Sequence, residues 1–212
     1  GQYKLAAVPE WEDIEKNLRP QWIEYTCSEA GNMIKMLSET AAECGIPTMF
    51  YSGYQSDYTK AHYSVDWSKI GRAFIIYSAG YGFNPTLIEA TRSAIGGKKL
   101  LSGLLQTGNS ASSHSAASML KHLTAGQGGV LIWYELYNDA KVFLNVAECV
   151  KTVAPYEDFI ALGTRADDSV ICRNELRSSM AVFTLNGKNA VFLFNENLEP
   201  LDMNFSCNGK KY

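Results

Sequence analysis

Several things are scarce in this chain, and each scarcity removes a class of function. Among 212 residues there are only three histidines, His62, His114 and His122, and they form neither a ligand set nor a triad pattern. The five cysteines (Cys27, Cys44, Cys149, Cys172 and Cys207) are far apart, with no CxxC and no Cys/His cluster, so no zinc or other metal site is expected. No cofactor signature is present either. Gly80-Tyr81-Gly82 lacks the third glycine of a dinucleotide turn, and no GxSxG elbow accompanies the serines before His114. Basic residues never cluster beyond the pairs Lys98-Lys99 and Lys210-Lys211, and the net charge is −3, which speaks against a nucleic-acid partner. No apolar run is long enough to cross a bilayer, so no membrane partner is expected.

An odd number of scattered cysteines favours free, mostly buried thiols and a reducing compartment. That places the cytoplasm slightly ahead of a secreted location, although a removed export signal would leave no trace. Hydrophobic residues at 46% and charged residues at 19% describe an ordinary globular protein, long enough for one large domain or one domain with a small appendage.

What the chain does have is a repeated alternation. The runs PTMFYSGYQSD (47–57), RAFIIYSAGYG (72–82), KKLLSGLLQTGN (98–109) and GGVLIWYELYND (128–139) are short and apolar, with few charges, and each ends in polar or aromatic residues. Such runs fit strands buried on both faces of a parallel sheet. Helical stretches separate them. Ser28 to Cys44 places Ala30, Met33, Ile34, Met36, Leu37 and Ala41 at helical spacing before Gly45 and Pro47. Pro85 to Ile95 starts on a proline and stops at Gly96-Gly97, while Ser113 to Leu123 and Ala140 to Thr152 carry clear apolar faces. On the 113–123 helix, His122 falls on the polar side and is expected at the surface. Residues 64–70 look like a short connection, and Tyr3 to Val8 like a further strand.

The texture changes near Gly163. MAVFTLNGKNAVFLFN (180–195) is two β-rich runs joined by Asn186-Gly187, a strong hairpin signal, with alternate residues of each run expected to face inward. The expected organisation is therefore α/β, with residues 1–163 alternating strand and helix and residues 164–212 forming a small antiparallel β domain.

Five parallel strands suit either an open doubly wound sheet or the second half of a (β/α)8 barrel. The order of strand, helix, Gly45-Ile46-Pro47, three strands, and a Gly128-Gly129 strand ending in Trp133-Tyr134-Glu135 resembles the C-terminal part of glycoside hydrolase barrels of the β-galactosidase-like clan. The resemblance implies a partial (β/α)8 barrel, about strands four to eight, completed by a missing N-terminal half or a second chain. It also implies a glycan or oligosaccharide bound at the C-terminal ends of the strands.

In that family the acid/base lies at the end of strand four, here near Glu12, and the nucleophile at the end of strand seven. Glu12 follows Trp11 rather than the family's Asn, and Glu10, Glu12 and Asp13 serve equally as an acidic first turn of a helix. At the strand-seven position stands Gln106, whose amide can neither form a glycosyl ester nor act as a base. Glu135, on a strand face with Leu131 and Trp133, is the other candidate carboxylate. Tyr51, Tyr54, Gln55, Tyr77, Tyr81, Gln106 and Trp133 are the candidate sugar contacts, by stacking and by hydroxyl recognition. Two functions stay open: a glycoside hydrolase, or a carbohydrate-binding or structural protein that has lost its nucleophile.

Overall fold

The structure is a computed structural model that describes residues 9–71, 73–74, 76–81, 83–98, 100–104, 111–125, 128–132, 140–172, 180–195, 200, 202–207 and 209–212. The described residues are of mixed helix-and-strand, α/β type. By internal contacts the chain divides into two compact units, Gly1–Tyr77 with Thr86–Lys98, and Ser78–Pro85 with Lys99–Tyr212. The division passes through a strand, between Tyr77 and Ser78.

The first unit opens with α1 (Trp11–Asp13), a π-helical turn (Ile14–Leu18) and the 25-residue α2 (Arg19–Glu43). Pro20 sits in the first turn of α2, where its missing N–H costs nothing. The helix therefore begins nine residues earlier than Ser28. Next come β1 (Met49–Ser52), α3 (Asp57–Tyr63) and α4 (Trp67–Ile70). The strand β2 (Ile76–Tyr81) follows, then α5 (Pro85–Ala94), which ends at Gly96 and Gly97 with φ of 75° and 79°. Its core is aromatic: Phe50 packs edge-on to Trp67 at 5.2 Å, Phe74 lies 5.5 Å from Phe50, and Tyr77 lies 6.0 Å from Phe74.

The second unit holds β3 (Leu101–Leu104), α6 (Ala111–Thr124), β4 (Gly129–Ile132), α7 (Ala140–Val153) and α8 (Glu157–Leu162). Short strands follow: β5 (Thr164–Arg165), β6 (Val170–Cys172), β7 (Met180–Leu185), β8 (Lys188–Leu193), β9 (Phe205–Cys207) and β10 (Lys210–Lys211).

The first sheet has the order β1-β2-β3-β4, with β2 parallel to β3 and β3 parallel to β4. Sequence order and sheet order coincide, as the alternation of runs and helices predicts. Tyr77, Ser78, Ala79 and Gly80 are all buried, so β2 is covered on both faces; β1, at the sheet edge, is only partly covered. The four strands form a row, and no pairing among the described residues closes it into a barrel. The fifth expected strand, Tyr3 to Val8, lies outside the described residues.

β2 starts three residues later than the apolar run suggests, which moves Tyr77 from the end of the strand to its beginning. A bulge interrupts the β2–β3 ladder between Ala79 and Tyr81, at Gly80, whose φ is 70°. A left-handed residue there is natural for glycine and strained for anything larger.

Among the described residues after 163 all pairing is antiparallel, in two three-stranded sheets, β5-β7-β8 and β10-β9-β6. Asn186 and Gly187, with φ of 51° and 73°, make the two-residue turn between β7 and β8. The expectation that only alternate residues face inward fails for β7. Met180 and Val182 pack with Val170 and Cys207, while Ala181 and Phe183 pack with Phe192, Phe194 and, from α8, Phe159 and Ile160. One face of β7 meets the second sheet and the other meets α6 and α8, so both faces are apolar.

His122 also departs from its expected place: it is fully buried, edge-on to Phe83 at 5.4 Å. Its helix α6 is enclosed on several sides. Met119 and Leu123 face α7, Ala117 and Leu120 face the β7–β8 sheet, and His122 meets Phe83. Contacts of its described residues thus fall on several sides, which a single-stripe reading does not anticipate.

Phe183→Ala should destabilise the protein by about 3 kcal/mol, because it opens a cavity in the apolar layer between sheet and helices. Leu193→Ala, at an exposed position on the neighbouring strand, should cost no more than about 0.5 kcal/mol. Urea denaturation midpoints of the two variants compare them directly.

Candidate functional site

Two sets of candidate residues have to be traced, one in each compact unit. In the first, the segment that leaves β1 turns through Gly53, Tyr54 and Gln55 into α3 and α4. Ser56 caps α3, accepting a hydrogen bond from the Thr59 backbone N–H at 3.1 Å. The Thr59 hydroxyl donates to the Tyr54 carbonyl at 2.6 Å. Asp66 caps α4: one carboxylate oxygen accepts from the Ser68 N–H at 3.0 Å, the Ser68 hydroxyl at 2.6 Å and the Gln55 amide at 3.0 Å. The other oxygen pairs with the Lys60 ammonium at 3.2 Å.

Gln55 is thereby committed. Its amide N–H donates to Asp66, its side-chain oxygen accepts from the Trp67 N–H at 2.9 Å, and its backbone N–H donates to Thr91 at 2.8 Å. Trp67 closes the loop from the other side, its indole N–H donating to the Gly53 carbonyl at 2.8 Å. Burial alone would raise the Asp66 pKa, but the hydrogen bonds from Ser68, Gln55 and Lys60 outweigh it and hold the carboxyl below its ordinary value.

The other candidates of this unit divide. Tyr54 is buried. Tyr77 is almost wholly buried: its hydroxyl accepts from the Phe74 N–H and donates to the Gly71 carbonyl, both at 2.9 Å, and the Lys98 ammonium lies 5.2 Å from the ring centre. With its ring in the aromatic core and its hydroxyl committed, Tyr77 has no face for a sugar. Tyr51 is partly buried on β1. Glu12 lies in α1, exposed, in an acidic first turn with Asp13, so the helical-turn reading describes it and the strand-end reading does not.

The second set follows the parallel strands. Tyr81 is the last residue of β2, Gln106 stands two residues beyond β3, and Trp133 and Glu135 stand one and three residues beyond β4. Gln106, Trp133 and Glu135, and the side chain of Tyr81, lie outside the described residues. A cavity of about 330 Å³ in the same unit is lined by Met119, Leu123, Val150, Val153 and Ile160, with Glu157 and Asp158 among its polar residues. Gly128, just before β4, also lines it, so the cavity adjoins the N-terminal end of that strand. None of the described residues that line it is aromatic.

Among the described residues no group of three or more His, Cys, Asp and Glu could hold an ion. No described helix is long and apolar enough to cross a membrane. All five thiols are free; Cys27, Cys149 and Cys207 are buried and Cys44 is exposed. Burial pushes the pKa of both Cys27 and Cys149 up, with the Asp66 charge adding to the effect at Cys27. Neither is a nucleophile at neutral pH.

The pattern of capping residues could have revealed the Asp66 hub. Asp66 two residues before Ser68, and Ser56 ahead of an acidic first turn, are both helix-start signals in a stretch that hydrophobic periodicity treats as a connection. Comparison with protein-family models, curated proteins and solved structures finds no match to this chain.

Asp66→Ala should cost about 2 kcal/mol or more, since it removes a helix cap and strands Gln55 and Lys60. In the parent protein the Asp66 contribution is complete above the ordinary carboxylate pKa of about 3.9 and is lost as the pH falls through the depressed folded value. Denaturation midpoints of parent and variant should therefore converge towards low pH. In thiol titration of the folded protein, Cys44 should react fast, while Cys27 and Cys149 should react only on addition of denaturant.

Proposed function

We propose that this chain is a carbohydrate-active protein of the glycoside hydrolase type, which binds or hydrolyses a glycan at the C-terminal ends of its parallel strands. In this reading its strands belong to the second half of a (β/α)8 barrel. The observation that carries the proposal is the parallel run of β2, β3 and β4. Strands that run the same way release their following segments at one edge, so Tyr81, Gln106, Trp133 and Glu135 follow from that edge. These are residue types suited to a sugar: aromatic faces to stack on a ring, an amide and a carboxylate to bind hydroxyls. The bulge at Gly80 lies close to the same edge, and bulges are over-represented at barrel rims and next to active sites.

In the catalytic version Glu135 is the general acid, protonating the leaving oxygen. The second carboxylate is the difficulty. Gln106 occupies the nucleophile position of the family resembled, and Glu12 lies exposed in a helical turn of the other compact unit. Those two observations favour the second version, a glycan-binding protein without turnover. Tyr54, Gln55 and Tyr77 leave the recognition set in either version, their polar or aromatic groups being engaged inside the first unit.

The two versions separate in one experiment. The protein is titrated with a panel of oligosaccharides by calorimetry and assayed against aryl glycosides. If hydrolysis is seen, Glu135→Gln should abolish it while leaving affinity within about two-fold, because the amide keeps the shape and loses the proton. Binding without hydrolysis, lost at least ten-fold in Trp133→Ala, supports the non-catalytic version. A protein that neither binds nor cleaves any glycan at millimolar concentration ends both.

A further inference from the structure

The longest helix of the first unit is built inside out. Its buried face consists of the small residues Cys27, Gly31 and Ser38. A Cβ on Gly31 would come within 3.1 Å of Lys69 Cβ, so α2 and α4 touch closely at that point. The Ser38 hydroxyl donates to the Ala73 carbonyl at 2.7 Å, and the Glu24 carboxylate meets the Lys69 ammonium at 2.5 Å. Of the large apolar residues at helical spacing, Met33, Met36 and Leu37 lie on the other side, together with Trp22 and Tyr25, while Ile34 is partly buried. Trp22, Tyr25, Met33, Met36 and Leu37 are 38% to 58% exposed. At 3.6 residues per turn they fall on one stripe. Trp11 extends the stripe, packing edge-on to Trp22 at 5.8 Å while itself 60% exposed.

Side chains of this size present roughly 150–250 Å² each when fully open, so the stripe leaves on the order of 600 Å² in water. That is the upper end of the largest apolar patch on a typical monomer, about 300–600 Å². Covering it twice buries about 1,200 Å², the threshold of a specific, stable protein–protein interface.

We propose that this stripe is the interface of a homodimer, in which α2 packs antiparallel on α2 of a second copy about a two-fold axis. The stripe is self-complementary in that arrangement. Its first half is aromatic and its second half is methionine and leucine. With Trp22 opposite Met36 and Tyr25 opposite Met33, each aromatic ring meets a thioether, which is a favourable contact for sulfur. An isologous pair makes this contact twice. A parallel pair would instead match aromatic with aromatic, methionine with methionine, and like ends of the two helix dipoles. The antiparallel register brings residue 29 opposite itself, and Glu29 is exposed on the stripe between its two halves. Two carboxylates therefore meet near the axis and moderate the affinity. The proposal is independent of any glycan chemistry, which lies with the second unit.

Sedimentation equilibrium of the whole chain at high micromolar concentration tests it, with far-UV circular dichroism confirming that each variant keeps its fold. The expected result is a dimer that Met36→Glu weakens at least ten-fold and that Glu29→Gln tightens several-fold. An equal mixture of the parent and Glu29→Lys should form heterodimers in preference to either homodimer. A parent protein that is monomeric at that concentration overturns the proposal. So does a dimer indifferent to Met36→Glu, or one that Glu29→Gln weakens.

Discussion

Strands that run in the same direction cannot be joined by a tight turn; the chain has to return the full length of the strand before the next begins. That constraint shapes the parallel part of the molecule. It requires α5 between β2 and β3, and α6 between β3 and β4. It also makes one edge of the sheet chemically different from the other, since every segment leaving a strand leaves on the same side. The antiparallel strands after residue 163 are free of the constraint, and there a two-residue turn at Asn186-Gly187 suffices.

Polar groups in the first unit are consumed by a different problem, the closing of the segment between β1 and β2. A loop carrying two short helices exposes many backbone donors, and helices of seven and four residues do not stand on their own. Asp66, Gln55, Ser56, Thr59 and Trp67 meet that need by binding backbone groups and one another. The same residue types at the end of a strand are what a sugar site would use. Chemistry that looks like recognition in the sequence is here internal support, and the difference lies only in whether the second partner is part of the chain.

Elements whose identity rests on local signals were legible in the sequence. Pro85 and Gly96-Gly97 bound α5, Asn186-Gly187 fixes the hairpin, and four apolar runs become four strands in their predicted order. Properties that depend on how many sides of an element are covered were not. His122 on α6 and the whole of β7 are enclosed from more than one direction, so a single apolar stripe understates their burial. In the run 72–82 the residues Phe74 to Tyr77 are all strand-forming types, and nothing local says that the strand starts at Ile76 rather than Ala73. That three-residue offset carries Tyr77 from a candidate site into the core.

Helix α2 shows the opposite error and the physics behind it. Hydrophobic periodicity locates an apolar stripe without saying what covers it. Close packing of two helices is served by small residues, because they let the backbones approach; Gly31 against Lys69 does this for α2 and α4. Once the inner contact is made by Cys27, Gly31 and Ser38, the large side chains on the far side are left with 38% to 58% of their surface in water. Burial of that remaining area is worth about 25 cal/mol per Å², and it is realised only when another surface arrives. A helix with its small face inward and its large face outward stores its unused apolar area where only association can bury it.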